Sequence, residues 1–340
     1  MQPTLRQRLL GLACAGLAIA GLAIGGLATP VQAETTLLVA EPVHSTGYLP
    51  LYVAIRRGFF KEDGLDVKVI TLQGGAAHTN AVLSKQAFAF IGGPEHNAFA
   101  KLKGAELRAV VNVVDRGNVY YVAKKGAQPA AGQSMTDFLK GKTIAVSFFG
   151  GTPNSITRYL LGKWNLTPGK DVTLKEMTNG AELAAVKAGA GEIGVTTEPM
   201  LTRGMIEGVW GEPIYNVPKE LGPYAYSTLN VRLESIQNEP KVVAAFVKNV
   251  IRGLEFTYAH HDEAVAIAKQ EFPTMTAEDL KATLNRSFAD SIWSKDGVIS
   301  SKAWDTGQEV VRSAGLLKQD VAYDDIIDMQ FVKAMKQANK

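Results

Sequence analysis

The segment from Tyr48 to Val69, YLPLYVAIRRGFFKEDGLDVKV, sets apolar residues Leu51, Ile55, Phe59 and Phe60 on one helical face, then Gly64, then a β-branched run. That spacing predicts an amphipathic helix, closed by Gly64 and feeding a strand. Residues 36–40, 66–70, 88–91 and 107–114 are apolar runs of strand length, separated by segments of helical length. A strand, helix, strand order of this kind predicts a parallel sheet with right-handed crossovers.

The first 33 residues stand apart from this pattern. Arg6 and Arg8 precede an uncharged run from Leu9 to Ala28, and Val31-Gln32-Ala33 puts small residues at a cleavage spacing. We read residues 1–33 as a secretion signal and Glu34 as the first mature residue. Two competing readings are a retained anchor, since about 20 apolar residues span a bilayer, and a lipoprotein acylated at Cys14. Thr29-Pro30 breaks the apolar run, and no leucine lies three residues before Cys14, which favours cleavage. The mature chain of 307 residues (340 minus 33) then has no cysteine, because the single one is Cys14. Disulfides and thiolate metal sites are excluded, and the fold must rest on core burial. Removing the two signal arginines leaves 34 basic residues against 33 acidic ones (36 minus 2), a balance that points to neither nucleic acid nor a polyanionic surface.

A second block of the same grammar follows the Gly, Pro and Ser-rich residues 126–134. Strands are expected at 142–146, 172–176 and 193–197, with Pro153 in the first turn of a helix reaching Trp164 and Asn179 capping a helix over 181–188. From Pro240 onward the pattern is helical, over 240–258, 262–271, 276–288, 302–314 and 323–337, with Asn238 and Thr276 near helix starts.

Ligands of open parallel sheets bind beyond the carboxyl ends of the strands. Here those positions hold 41–45 (EPVHS), 74–78 (GGAAH), 92–96 (GGPEH), 147–152 (SFFGGT) and 197–199 (TEP). Such loops aim backbone N–H groups at polar ligands. From them we select Glu41, His44, Gly75, Ala76, Glu95, Phe149, Thr152 and Glu198 as candidate ligand contacts. The acids could equally stabilise helix starts, and three acids on one cleft would suit a ligand bearing N–H donors. Tyr121, Phe148, Tyr224 and Tyr226 are candidate aromatic walls with core packing as the alternative. His44, His78 and His96 lie on separate loops without metal-ligand spacing, so neither a metal nor a cofactor is expected. Gly74-Gly75 and Gly150-Gly151 match no phosphate-binding fingerprint. Nor does the chain carry a GxSxG elbow, a mature cysteine nucleophile or HExxH, so binding without turnover is the simpler account.

Gly47-Tyr48-Leu49-Pro50-Leu51-Tyr52, Gly58-Phe59-Phe60 and Gly64-Leu65-Asp66-Val67 resemble the opening of the nitrate, sulfonate, taurine and thiamine-pyrimidine-precursor substrate-binding proteins of ABC importers. The likeness extends through Gly74-Gly75, residues 139–146, residues 187–193, Glu198-Pro199 and Asn238-Glu239-Pro240. It implies an α/β, two-lobe periplasmic-binding-protein fold of type II with a hinge cleft and C-terminal helices. Residues 34–121 would begin lobe one, 122–225 would form lobe two, and 226–340 would return to lobe one. The chain would then cross between lobes near Tyr120-Tyr121 and Tyr224-Tyr226. The resemblance further implies a monomeric periplasmic protein that hands a small-molecule solute to an ABC permease and its ATPase, without nucleic acid, metal or cofactor. Yeast-type pyrimidine synthases of this kind consume a histidine and carry a cysteine-rich motif, which the cysteine-free mature chain lacks. Glu, His and Gly dominate the loops, which favours a pyrimidine-like, amine or aromatic solute over sulfonate or nitrate. A periplasmic sensor is the other alternative.

Overall fold

The computed structural model describes residues 34–73 and 76–338. The expected secretion signal over residues 1–33 and Gly75 therefore lie outside the described residues. Five strands, β1 (Thr35–Glu41), β2 (Leu65–Thr71), β3 (Ala89–Gly92), β4 (Leu107–Arg116) and β10 (Pro223–Arg232), form one sheet in the order β2-β1-β3-β10-β4. The other sheet has the order β7-β6-β8-β5-β9, from β5 (Tyr120–Ala123), β6 (Thr143–Ser147), β7 (Thr173–Met177), β8 (Ile193–Thr196) and β9 (Tyr215–Asn216).

Both sheets are mixed, which corrects the parallel expectation. β1 runs parallel to β2 and β3, and β6 parallel to β7 and β8. β10 runs antiparallel between β3 and β4, and β5 antiparallel between β8 and β9. β10 escaped the sequence reading because Ser227, Thr228 and Asn230 interrupt its apolar run. All three are buried, and Asn230 Nδ2 donates to the carbonyls of Gly92 (3.2 Å) and Thr228 (2.8 Å). A strand buried on both faces tolerates such residues only when their polar atoms are paired.

Helices α1 (Leu49–Arg56), α2 (Ala77–Leu83) and α3 (Glu95–Lys101) follow β1, β2 and β3. In the second sheet α4 (Met135–Leu139) precedes β6, and α5 (Thr152–Lys163), α6 (Glu182–Lys187) and α7 (Met200–Ile206) follow β6, β7 and β8, with α8 (Val217–Leu221) after β9. The C-terminal helices are α9 (Leu233–Asn238), α10 (Pro240–Ala259), α11 (His261–Glu271), α12 (Ala277–Ala289), α13 (Ser301–Ser313), α14 (Tyr323–Ile326) and α15 (Gln330–Ala338). No helix among the described residues is long and apolar enough to cross a membrane.

Local chemistry explains where these elements end. α1 stops at Arg56, short of Phe60, and a 3-10 turn at Lys61–Asp63 leads to Gly64, whose φ of 70° is the left-handed turn that releases β2. Thr276 caps α12 by accepting from the Asp279 amide at 3.1 Å. The helix expected over 323–337 is broken in two. Asp328 N donates to Ala109 O at 2.9 Å, so the chain pauses to pair with β4 before α15 begins. Asn179 does not cap α6, whose N-cap is Ala181.

Candidate functional site

A cleft with about 750 Å³ of empty space, part of it open solvent, lies where the carboxyl ends of strands from both sheets meet. The first sheet contributes Pro42 and Val43 after β1, Gly92 and Gly93 at the end of β3, and Tyr226 and Ser227 of β10. Tyr48, His78 at the start of α2 and His96 at the start of α3 complete that wall. From the second sheet come Ser147 and Phe148 after β6, Thr152 in the first turn of α5, and Glu182 in the first turn of α6. Asn179, Gly180, Thr196 and Thr197 close that side. Among the described residues no lysine or arginine lines the cavity.

Three lining side chains are buried with polar atoms that no group among the described residues satisfies: both ring nitrogens of His78, the Ser147 hydroxyl and the Thr196 hydroxyl. Each residue is 2% exposed. Leaving a buried donor or acceptor unpaired costs about 1–3 kcal/mol, and these atoms of three residues gather around one cavity. The His78 ring packs edge-on against His96 (centroids 4.8 Å) and Phe90 (5.1 Å). Gly92 makes room for it, since a Cβ there would lie 3.0 Å from His78 Nε2. Burial pushes His78 well below the ordinary imidazole range and His96 down to about 4, so both rings are neutral at pH 7.

The carboxyls of the site follow the opposite direction. Burial pushes Glu182 up to about 7, against the Gly180 amide, which donates to its Oε2 at 2.8 Å. Glu95 is likewise pushed by burial to about 7. It folds back over Gly93, where a Cβ would meet its carboxylate at 2.0 Å, and accepts from Thr152 Oγ1 at 2.6 Å. That bond crosses from the first sheet's helix α3 to the second sheet's helix α5, and it holds the two walls together beside the cavity.

The remaining expected contacts have other surroundings. Glu41 ends β1, buried, and accepts from Thr71 Oγ1 (2.7 Å), His44 Nδ1 (2.9 Å) and the Tyr52 hydroxyl. His44 lies between the rings of Tyr52 (4.8 Å) and Phe272 (4.7 Å). Burial works to lower its pKa, but Glu41 and Glu271 leave it raised. Ala76 is the exposed N-cap of α2. Phe149 is 49% exposed with the Arg158 guanidinium 4.9 Å over its ring, while its neighbour Phe148 lines the cavity. Glu198 is buried and accepts from the Thr202 amide (3.0 Å) and hydroxyl (2.8 Å). Tyr121 and Tyr224 are fully buried core residues. Of the eight selected residues, the structure brings Thr152 to the cavity wall and Glu95 directly behind it.

His78, His96, Ser147, Thr196, Glu182 and Tyr226 were not among those eight. All but Glu182 and Tyr226 sit in or beside loops that the sequence marks as strand ends, so the loops were legible while the facing side chains were not. The sequence marks Tyr226 only as a candidate aromatic wall. A sharper signal for Glu182 existed in the Asn-Gly-Ala-Glu run of residues 179–182, which repeats the Gly-Pro-Glu logic of residues 93–95: a turn glycine, then an acid at a helix start.

The raised pKa of Glu182 has a measurable consequence. Its folded value of about 7 lies above the ordinary 4.5. The unfolded chain therefore releases this proton first, and folding stability falls as pH rises from about 4.5 to about 7. His78 and His96 act in the opposite sense over part of that window, so the whole-protein profile is blunted. The difference between Glu182→Gln and the parent isolates the acid. The variant is expected to gain stability relative to the parent as pH rises to 7, by on the order of 3 kcal/mol at the plateau. Denaturant melts at pH 4.5, 6 and 7.5 check this, and a pH-independent difference would contradict it.

A periplasmic-binding-protein fold with a polar cleft between its sheets is the class this geometry defines. The profile of the NMT1/THI5-like family matches residues 45–264, and the chain belongs to that family. It is 28% identical over 304 residues to YtlA of Bacillus subtilis, a candidate binding protein, covering 88% of this chain and 89% of that one. It is 24% identical over 327 residues to the riboflavin-binding protein RibY of Chloroflexus aurantiacus, covering 90% and 88%. The fold matches the ligand-binding component of an ABC-type import system from Staphylococcus aureus, solved with zinc bound. The TM-score there is 0.70, with 15% identity, over 88% of this chain and 98% of that one.

Proposed function

We propose that this protein is an extracytoplasmic solute-binding protein of an ABC importer. It captures a small organic solute in the cleft between its sheets and delivers it to a membrane permease, without chemical turnover. The observation that carries this reading is the set of unpartnered polar atoms of His78, Ser147 and Thr196 around one cavity. The first of these comes from one sheet's wall and the other two from the opposite wall, so a bound solute would pair with both. A ligand that contacts both walls favours the closed arrangement by its differential affinity, which is what a permease can read. The lobe boundaries near residues 121 and 225 belong to this reading. In its support, the chain leaves the first sheet at Arg116, builds the second from Tyr120 to Asn216, and rejoins the first at Pro223.

The lining favours a neutral or N–H-bearing heteroaromatic, a pyrimidine-like compound or an amine over nitrate or sulfonate. Tyr48, Phe148 and Tyr226 offer flat apolar surface, Glu182 and the neutral imidazoles offer acceptors, and among the described residues no lysine or arginine lines the cavity to balance an anion. Naming of the relative RibY for riboflavin points the same way. A thermal-shift screen of residues 34–340, stripped of carried-over ligand, tests this with flavins, pyrimidines, amines, aromatic acids, sulfonates and nitrate. A ligand at 100 times its Kd adds about 2.7 kcal/mol to stability, a clear rise in melting temperature. A rise with flavins, pyrimidines or amines is the expected result. A rise with sulfonate or nitrate alone would overturn the solute class, and product appearing during incubation would overturn the non-enzymatic reading.

A further inference from the structure

We infer that Arg286 and Asp290, on the C-terminal helix α12, form a clasp that joins the two halves of the protein away from the solute cleft and sets how readily the cleft closes. This rests on the binding-protein reading above, and both are positioning residues that touch no solute.

The end of α12 is rooted on the first sheet. Just beyond it, Ile292 O accepts from the Asp115 amide (2.7 Å), Ser294 N donates to Val113 O (2.9 Å), and Trp293 Nε1 donates to Gly47 O (3.0 Å). Asp290 is the C-cap of the helix, with a carboxylate 2% exposed. It is pointed at the two segments by which the chain passes between sheets. Tyr120, the first residue after the outgoing crossing, donates its hydroxyl to Oδ2 at 2.8 Å. Asn216, the last residue before the return, donates Nδ2 to the same oxygen at 3.1 Å, and Lys219 Nζ lies 3.3 Å from Oδ1. Tyr120 and Asn216 are themselves paired in the second sheet, and Pro223 pairs with Arg116 in the first. One buried carboxylate of the first half thus accepts from both connecting segments at the edge of the second.

Arg286 extends the same contact one turn earlier on α12. Its Nε lies 3.3 Å from Glu198 Oε1, in the turn between β8 and α7, and its Nη1 donates to Glu212 Oε2 at 3.2 Å. The Glu198 carbonyl in turn accepts from Ser45 Oγ (2.9 Å), in the loop after β1. Glu198, expected from the sequence to meet the solute, is placed to anchor this clasp. The Asp290 carboxylate is shielded from water, where charge-assisted bonds are among the stronger polar contacts, and the contacts of both residues exist only while the halves are together as described. Removing them lowers the fraction of closed protein, and apparent affinity falls in proportion to that fraction.

The test uses residues 34–340 without ligand at pH 8, and reads the radius of gyration by solution scattering. Asp290→Asn and Arg286→Met are expected to give a larger radius than the parent, with unchanged far-UV circular dichroism. Any solute identified by the screen is expected to bind each variant roughly 3- to 10-fold more weakly. Arg286 is partly exposed, so the Met variant carries the test if the Asn variant does not fold. Glu207→Gln is the control, because it breaks the outer-face pairs to Lys187 and Arg203 and spans no crossing. Equal radii for the parent and both clasp variants would overturn the inference, as would an equal increase in the control. Scattering needs no solute, so failure of the clasp is separable from failure of the binding reading.

Discussion

His78→Phe is expected to make the unliganded protein more stable and its solute binding weaker, two changes of opposite sign from one substitution. His78 is buried with both ring nitrogens unpartnered, and it already sits in an aromatic contact with Phe90. Phenylalanine keeps an aromatic ring in contact with Phe90 and removes the unsatisfied groups, which relieves about 1–3 kcal/mol. The same nitrogens are the ones we assign to the solute. Losing one or two neutral hydrogen bonds to it lowers affinity by about 10-fold to 100-fold. Thermal melts and calorimetric titration with the screened solute measure the two effects side by side. A stability gain without loss of affinity would remove His78 from the site, and a stability loss would show that its nitrogens are satisfied in the folded chain.

Gly253→Ala is expected to be the most damaging single-methyl change in the C-terminal helices. Gly253 lies inside α10, where helix propensity alone favours alanine by about 1 kcal/mol. Here a Cβ would stand 2.2 Å from the carbonyl oxygen of Pro50 and 3.0 Å from Ala54 Cβ, both on α1. A backbone oxygen cannot swing aside as a side chain can, so the two helices must separate. We expect a net loss of about 2–3 kcal/mol, in the range of overpacked cores, seen as a melting point several degrees lower. Because α1 follows directly on the loop holding Pro42, Val43 and Tyr48, the same shift is expected to disturb one wall of the cleft. Gly307→Ala is the contrast. Gly307 is also inside a helix, α13, but nothing lies within 4 Å of where its Cβ would be. There the propensity gain stands alone, and about 0.5–1 kcal/mol of stabilisation is expected. Equal effects of the two substitutions would refute the close-approach argument.

The two glycines look alike in sequence, and they illustrate where sequence reading stops. Local chemistry was legible wherever it is local. The periodicity of residues 48–69 placed α1 and β2, Thr276 announced the start of α12, Pro153 the start of α5, and Gly64 the turn into β2. The strand-end loops at 92–96 and 147–152 were marked as the functional edge, because glycine, proline and polar residues at that position have few other uses. The family resemblance rested on the same local signals.

What only the tertiary structure decided was direction and partnership. β10 lies between β3 and β4 because the chain returns from the second sheet, a long-range pairing that no periodicity encodes, and its buried Ser, Thr and Asn hide it from hydrophobic analysis. Glu41, Glu95 and Glu198 are indistinguishable as acids after strands, yet Glu41 is consumed by Tyr52, Thr71 and His44, Glu95 bridges to Thr152, and Glu198 meets Thr202 and Arg286. His78 and Glu182 face the cavity because neighbouring elements bury them there. A sequence fixes which groups a loop can offer. Which of them are left unpaired, and so available to a ligand, depends on every other element that packs against the loop, and that is settled only when the chain is folded.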